Sequence, residues 1–215
     1  MEWGLKISAV IPANNEQSTI GEVVEGCKQY CDEVIVVDDA SSDLTSEIAR
    51  RAGAKVTRNA IRLGIVRSTE IGLRLASKEI VVTLDADGQH DPSEIPVLAN
   101  PILHGYADLV LGRRALGRPF SERIISSLTW LRVRCEDVGS GYRAFRIDLA
   151  HSVQLWGYCL CGSLVLEARE HGARIVEVPI TIRARQGGKS HWPSPLSRGR
   201  THCMQIMLVA LHLLI

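Results

Sequence analysis

The densest run of potential chemistry is "VVTLDADGQHDP", residues 81–92. Three aspartates, a glutamine and a histidine fall within seven positions there, directly after an apolar run. Carboxylates packed so closely repel one another unless a positive charge sits among them. Asp85 and Asp87 stand at i and i+2 in a turn that Gly88 lets bend, so both can point toward one site. Oxygen donors of that kind suit Mg²⁺ or Mn²⁺, hard cations that keep open positions for a substrate phosphate. Gln89 can add a neutral oxygen or a donor. Asp91 reads differently, because Pro92, Ser93 and Glu94 after it make a helix start.

A second acid pair, Asp38 and Asp39, ends the run "VIVVDD". An acid at such a place can accept hydrogen bonds from a nucleobase N–H or from ribose hydroxyls. A receiver-type phospho-acceptor pocket fits poorly: it needs its acid doublet after the first strand, and here the doublet follows the second. No GxGxxG, GxxxxGK[ST] or GxSxG pattern occurs, so a dinucleotide fingerprint, a P-loop and a hydrolase elbow are all excluded.

These residues need a scaffold, and the first hundred positions supply one. Strands are expected at 5–12, 33–39, 54–58 and 79–85, and helices at 18–30, 43–53 and 65–77. Continuous Val/Ile blocks between helices belong to a mostly parallel sheet covered on both faces. Ligands of such sheets bind beyond the carboxyl ends of the strands, where Pro12 to Glu16, Asp38, Asp39 and Asp85 to Asp91 all fall. Beyond residue 100 the pattern predicts a strand at 107–114, a helix near 121–131, a Gly-rich turn at 136–145, a helix at 161–172 and a strand at 173–185.

The net charge of +1 hides an asymmetry. Gly112 to Arg134 holds six arginines and one acid, and Val178 to the C-terminus holds five Lys/Arg and no acid. That split fits an anionic ligand or membrane surface met by the second half. The six cysteines are irregularly spaced and include no CxxC pair, which argues for free thiols and against zinc. No secretory leader is expected at the N-terminus. Residues 1–195 read as one domain, and 196–215 as a basic then apolar segment suited to a membrane interface. Its apolar run of thirteen residues is short of the roughly 20 that span a bilayer.

Five segments together resemble the family-2 glycosyltransferases of the GT-A fold, most closely the dolichyl-phosphate mannose and polyprenyl-phosphate sugar synthases. "VIPANNE" (10–16) is similar to VIPxYNE, "VVDDASSDLT" to VVDDxSxDxT, and "LDADGQHDP" to DADxQHxP. "DVGSGYRAF" (137–145) resembles DxxSGFRxF, and "EVPITIRARQGGKS" (177–190) resembles EVPxxxxxRxxGxS. The matches keep the family's order and cover nearly the whole chain.

The resemblance implies a single Rossmann-like α/β sheet and a metal-dependent, inverting transfer of a hexose, such as mannose or glucose, from a GDP- or UDP-sugar to a polyprenyl phosphate. It implies a protein peripheral to the cytoplasmic membrane face; nucleic acid is not an expected partner. Pro12, Asn14, Glu16, Asp38, Asp39, Gly64, Arg67 and Asp85 would meet the nucleotide sugar. Asp85, Asp87 and Gln89 would hold Mg²⁺ or Mn²⁺. Arg114, Arg123, Ser127, Ser140 and Arg185 would face the acceptor phosphate, with Arg123 and Ser127 spaced i,i+4 on one helical face. Asp87 and Arg114 would serve catalysis.

Elementary chemistry agrees. A leaving nucleoside diphosphate needs charge stabilisation, which a divalent cation supplies. A phosphate acceptor is already ionised and needs arginines rather than a base. A hydroxyl acceptor would need a base, for which Asp137 is the candidate beside its alternative as a turn acid. Departures from the family pattern are Asn14 in place of Tyr, "RLGIVRS" (62–68) in place of NxGxGxA, and His191 in place of Lys. They leave open the donor's identity and the alternative of a nucleotide-sugar-binding protein without turnover. A nucleotidyltransferase ranks low, since "PANNEQS" has no glycine or basic residue.

Overall fold

Three apolar runs of the first half and one short polar segment become parallel strands: β1 (Ile7–Ala13), β2 (Glu33–Asp38), β4 (Ile80–Thr83) and, between the latter two in the chain, β3 (Lys55–Arg58). The computed structural model describes residues 6–115, 118–185 and 195–214. β1 lies between β2 and β4, and all seven of its residues are buried. Burial on both faces is why it reads as an unbroken apolar block rather than as alternation. β3 is an edge strand, and its exposed Lys55 and Arg58 discourage pairing with another chain.

Helices α1 (Ile20–Lys28), α2 (Thr45–Arg51), α3 (Ile65–Leu75) and α4 (Ile95–Leu103) accompany these strands. α1 buries Ile20, Val23, Val24 and Cys27, one stripe at helical spacing. α3 lies so close to β1 that a Cβ on Gly72 would stand 2.2 Å from Val10 Cγ1. The two faces of the sheet carry separate apolar cores, one including Val10, Val37 and Phe145, the other Ile11, Val36 and Tyr142.

The second half adds β5 (Leu109–Arg114), α5 (Phe120–Thr129), β6 (Arg143–Arg146), α6 (Ile147–Ser152), α7 (Ser163–Glu170), β7 (Ile175–Ile180) and α8 (Pro195–Leu213). The seven-stranded order is β3-β2-β1-β4-β6-β5-β7. β6 runs antiparallel to both β4 and β5, while β5 and β7 are parallel, so the sheet is mixed and mostly parallel. The Gly-rich turn expected at 136–145 therefore ends in a central strand. Its four residues are too few to show a period, although Ala144 and Phe145 belong to opposite cores. The strand expected at 173–185 ends at Ile180, and a single bridge between His90 and Ile182 carries the chain on to the acid loop.

The C-terminal segment is α8, packed along α5. His202, Gln205 and Val209 are buried, while Met204, Met207, Leu211 and Leu214 are exposed. Among the described residues no helix is long and apolar enough to cross a membrane.

Candidate active site

The carboxyl ends of β1, β2 and β4 open into a cleft of about 460 Å³. Pro12, Asn14, Glu16 and Asp39 line one part of it, and Asp85, Asp87, Gln89, Arg114 and Arg185 another. Two non-glycine residues with left-handed backbone, Asn15 (φ 57°) and Ala40 (φ 57°), stand in the turns after β1 and β2. For alanine that conformation costs about 1–2 kcal/mol, and strain of this kind collects at binding sites. The two turns hold each other: Asn14 Nδ2 donates to the Asp39 carbonyl at 2.7 Å, and the Asn15 N–H donates to Ser41 Oγ at 2.9 Å.

Asp39 anchors the departing loop at 59–64. Its carboxylate accepts from the N–H groups of Leu63 (2.7 Å) and Gly64 (2.8 Å) and from Asn59 Nδ2 (2.9 Å). Burial alone would raise its pKa, but these donors outweigh it and hold the carboxyl below the usual aspartate value. Asp38 lies elsewhere. Its fully buried carboxylate accepts from the Ser41 N–H and from Ser46 Oγ, bracing the turn rather than lining the cleft.

The acid loop presents Asp85 and Asp87 to the cleft. Gly141 makes room for Asp85: a Cβ there would sit 2.7 Å from Asp85 Oδ1. Burial, then the negative charge of Asp85, raises the pKa of Asp87. His90 is buried beneath them and stacks on Tyr142 at 4.9 Å between ring centroids. The Asp85 N–H donates to His90 Nδ1 at 3.1 Å, which places the ring proton on Nε2. Burial lowers the His90 pKa, in keeping with a neutral ring. Asp91 accepts from the Ser93 N–H at 3.0 Å, so it is the cap that its pattern predicts. The donor chemistry fits Mg²⁺ or Mn²⁺: two carboxylates on one wall, mutually repelling, with the Gln89 amide beside them.

The segment after β7 straps this loop. The Arg183 N–H donates to the Gln89 carbonyl at 2.9 Å, Gln89 Nε2 donates to the Arg183 carbonyl at 3.3 Å, and Arg183 pairs with Asp91. Arg185 then reaches into the cleft, with Nη1 3.0 Å from Asp87 Oδ2 and Nη2 bonded to Glu16. Burial raises the Glu16 pKa, and Arg185 partly offsets that.

Arg114, at the end of β5, lies between two acids. Its Nε and Nη2 each donate to Asp137 at 2.8 Å, and Nη2 also donates to Glu122 at 2.6 Å. Asp137 is wholly buried behind Arg114 and does not line the cleft. Burial would raise its pKa, but Arg114 outweighs it and holds the carboxyl below the usual value. Of the two roles open to it, the geometry is that of a turn acid that orients an arginine.

Other expected residues separate. Arg123 and Ser127 do share one face of α5, but with Arg118 and Trp130 they line an adjoining hollow of about 390 Å³. Arg67 points from α3 to Glu70 at 2.5 Å and does not line the cleft. Ser140 is buried, and its hydroxyl accepts from the Tyr142 N–H at 3.3 Å. His191 lies outside the described residues.

Several cleft residues escaped the sequence reading, among them Glu122, Arg143 and His202. Glu122 is the lone acid of the arginine-rich stretch, and that solitude was its signal. Arg143 is fully buried in β6, with Nε and Nη1 unpartnered. His202 comes from α8 and has no local motif.

The undecaprenyl-phosphate mannosyltransferase of Micrococcus luteus is 31% identical over 86% of this chain and 87% of its own length. The dolichol-phosphate mannosyltransferase of Pyrococcus furiosus is 29% identical over 86% of this chain, which spans 59% of that longer protein. Glucosyl-3-phosphoglycerate synthase of Mycobacterium tuberculosis, solved with Mn²⁺, UDP and glucosyl-3-phosphoglycerate, superposes with a TM-score of 0.81 at 26% identity, covering 97% of this chain and 80% of that one. That likeness fits the GT-A fold expected from the motifs. The family model for glycosyl transferase family 2 matches residues 8–152. The chain belongs to glycosyl transferase family 2.

Proposed function

We propose that this protein transfers a hexose from a nucleotide sugar to a polyprenyl phosphate, with inversion at the anomeric carbon and with Mg²⁺ or Mn²⁺ held by Asp85, Asp87 and the Gln89 amide. The observation that carries this reading is the meeting of Asp85, Asp87, Glu16 and Arg185 in one cleft at the strand ends. A divalent cation bound there supplies charge stabilisation to the departing diphosphate. Pro12, Asn14 and Asp39 border the nucleoside, and the loop that Asp39 anchors through Gly64 closes over it. Arg185, released from Asp87, turns to the diphosphate oxygens, which its planar donors suit.

An acceptor phosphate oxygen attacks the anomeric carbon while the bond to the nucleoside diphosphate breaks. The acceptor enters ionised, so no proton need be removed. Arg114 borders its path, oriented by Asp137 and Glu122, and Arg123 and Ser127 border the adjoining hollow. A membrane-borne acceptor is supported by exposed Trp130 and Leu131 after α5 and by exposed Met204, Met207 and Leu211 on α8. Apolar side chains flanked by Arg123, Arg132 and Arg134 suit an anionic lipid interface.

A second reading follows from the structural relative, whose complexes include phosphoglyceric acid and UDP-glucose with Mn²⁺. Here the acceptor would be a small phosphorylated acid reaching the same arginines. One assay separates the two. Radiolabelled UDP-glucose or GDP-mannose is offered with Mn²⁺ and either polyprenyl phosphate in vesicles or phosphoglycerate. Solvent-extractable label supports the lipid acceptor, and water-soluble glycosylated acid supports the second reading. Label left entirely on the nucleotide would sink both.

A further inference from the structure

At the inner end of the cleft, apart from the acid pair, three soft donors converge. Cys159 and Cys161 lie in the turn before α7, and His202 projects from α8. All three are buried and line the cleft, and their ligand atoms lie within 4.8 Å of one another. A tetrahedral zinc with two thiolates needs sulfurs about 3.8 Å apart, from Zn–S bonds of about 2.3 Å, so closure asks for shifts within side-chain reach.

The surroundings favour such a site. Ser121 Oγ meets His202 Nδ1 at 2.6 Å, which orients the ring. That is the outer-shell bond a ligating histidine commonly has. The ring also interacts with the Cys161 thiol. Arg143 lies nearby, fully buried, with Nε and Nη1 unpartnered.

We propose that Cys159, Cys161 and His202 form a second metal site, for a thiophilic divalent cation of the zinc class. It ties α8 to the turn at 157–163 and leaves its fourth position open to the cleft. Thiolate and imidazole donors separate it from the oxygen-lined pair at Asp85 and Asp87, which suits Mg²⁺ or Mn²⁺. The absence of a CxxC pair, which argued against zinc, is answered by the fold: a CxC turn and a distant helix supply the ligands together.

Cobalt is the probe, because thiolate ligation gives it a near-ultraviolet charge-transfer band that carboxylates do not. Reduced, metal-free protein is titrated with Co²⁺ and then with Zn²⁺. The expected result is one Co²⁺ per chain with a thiolate band, displaced by Zn²⁺. The band should survive in Asp85→Asn/Asp87→Asn and be lost in Cys161→Ser or His202→Gln. Ser121→Ala, which removes no ligand, should weaken Co²⁺ binding about 10-fold or more. If the ligand variants fail to fold, alkylation of the wild type decides. Zn²⁺ should protect Cys159 and Cys161 relative to Cys27 and Cys135. No thiolate band in the wild type, a band unchanged in Cys161→Ser, or no protection would overturn the proposal.

Discussion

Arg185 reaches back across the fold to hold Asp87 at 3.0 Å, and the same guanidinium bonds Glu16. One side chain thus links the loop after β1, the acid loop after β4 and the strap after β7. A guanidinium so placed neutralises the acids before a ligand comes and is at hand for a diphosphate when one does. Arg185→Ala should leave the fold intact and lower kcat/KM about 10²–10³-fold, the usual size for losing one charge-stabilising donor. Steady-state kinetics beside a circular dichroism melt checks it. An unchanged kcat/KM would remove Arg185 from the site.

Metal affinity should depend on pH in a definite direction. Burial and Asp85 raise the Asp87 pKa, so a proton competes with the cation at a higher pH than an ordinary aspartate would allow. Affinity should be full above that raised pKa and fall as pH drops through it, about tenfold per unit for each proton displaced. Mn²⁺ titrations across a pH series measure this. A flat profile down to the usual aspartate value of 3.8 would contradict it.

Two glycines make opposite predictions. In Gly141→Ala the new Cβ would lie 2.7 Å from Asp85 Oδ1. Mn²⁺ binding should weaken while stability changes little. In Gly72→Ala the clash is with Val10 at 2.2 Å, between α3 and β1. Overpacking of that kind costs about 1–3 kcal/mol, and the metal site should be spared. Denaturant melts and Mn²⁺ titrations on both variants separate the cases.

Asp108 ties β5 to the start of β7. Arg174 donates to it from Nε (2.9 Å), Nη2 and its backbone N–H, and Arg146 donates at 2.7 Å. These bonds pull its pKa down to about 2. A depressed carboxyl pKa contributes stability above its ordinary value of 3.8, and that contribution is lost as pH falls toward about 2. Both arginines are about half exposed, so solvent screening should hold the cost of Asp108→Asn at neutral pH to about 1 kcal/mol. The difference from wild type should shrink in acid. A difference that persists unchanged to the lowest pH would mean that the ion pairs contribute nothing.

Legibility in the sequence followed burial. β1, β2 and β4 are covered on both faces and announce themselves as apolar blocks, and the acids after them mark the cleft. β6 was hidden because four residues beside a Gly-rich turn show no period, and its antiparallel direction is set by pairing with β4 and β5. The set expected to face an acceptor phosphate, Arg114, Arg123, Ser127, Ser140 and Arg185, was readable by type but not by place. α5 divides it, sending Arg123 and Ser127 to the hollow, while the acid after Arg114 turned out to orient it. Cys159, Cys161 and His202 were unreadable as a group, since His202 lies 41 residues beyond Cys161 and joins it only in three dimensions.

The central claim is that Asp85 and Asp87 couple a hard cation to a nucleoside diphosphate. Calorimetric titration of UDP and GDP into the wild-type protein, with and without Mn²⁺, tests it most directly. At least one nucleotide should bind, at least tenfold more tightly with Mn²⁺, and Asp87→Asn should abolish that difference. Nucleotide affinity that is the same with and without metal would contradict the account.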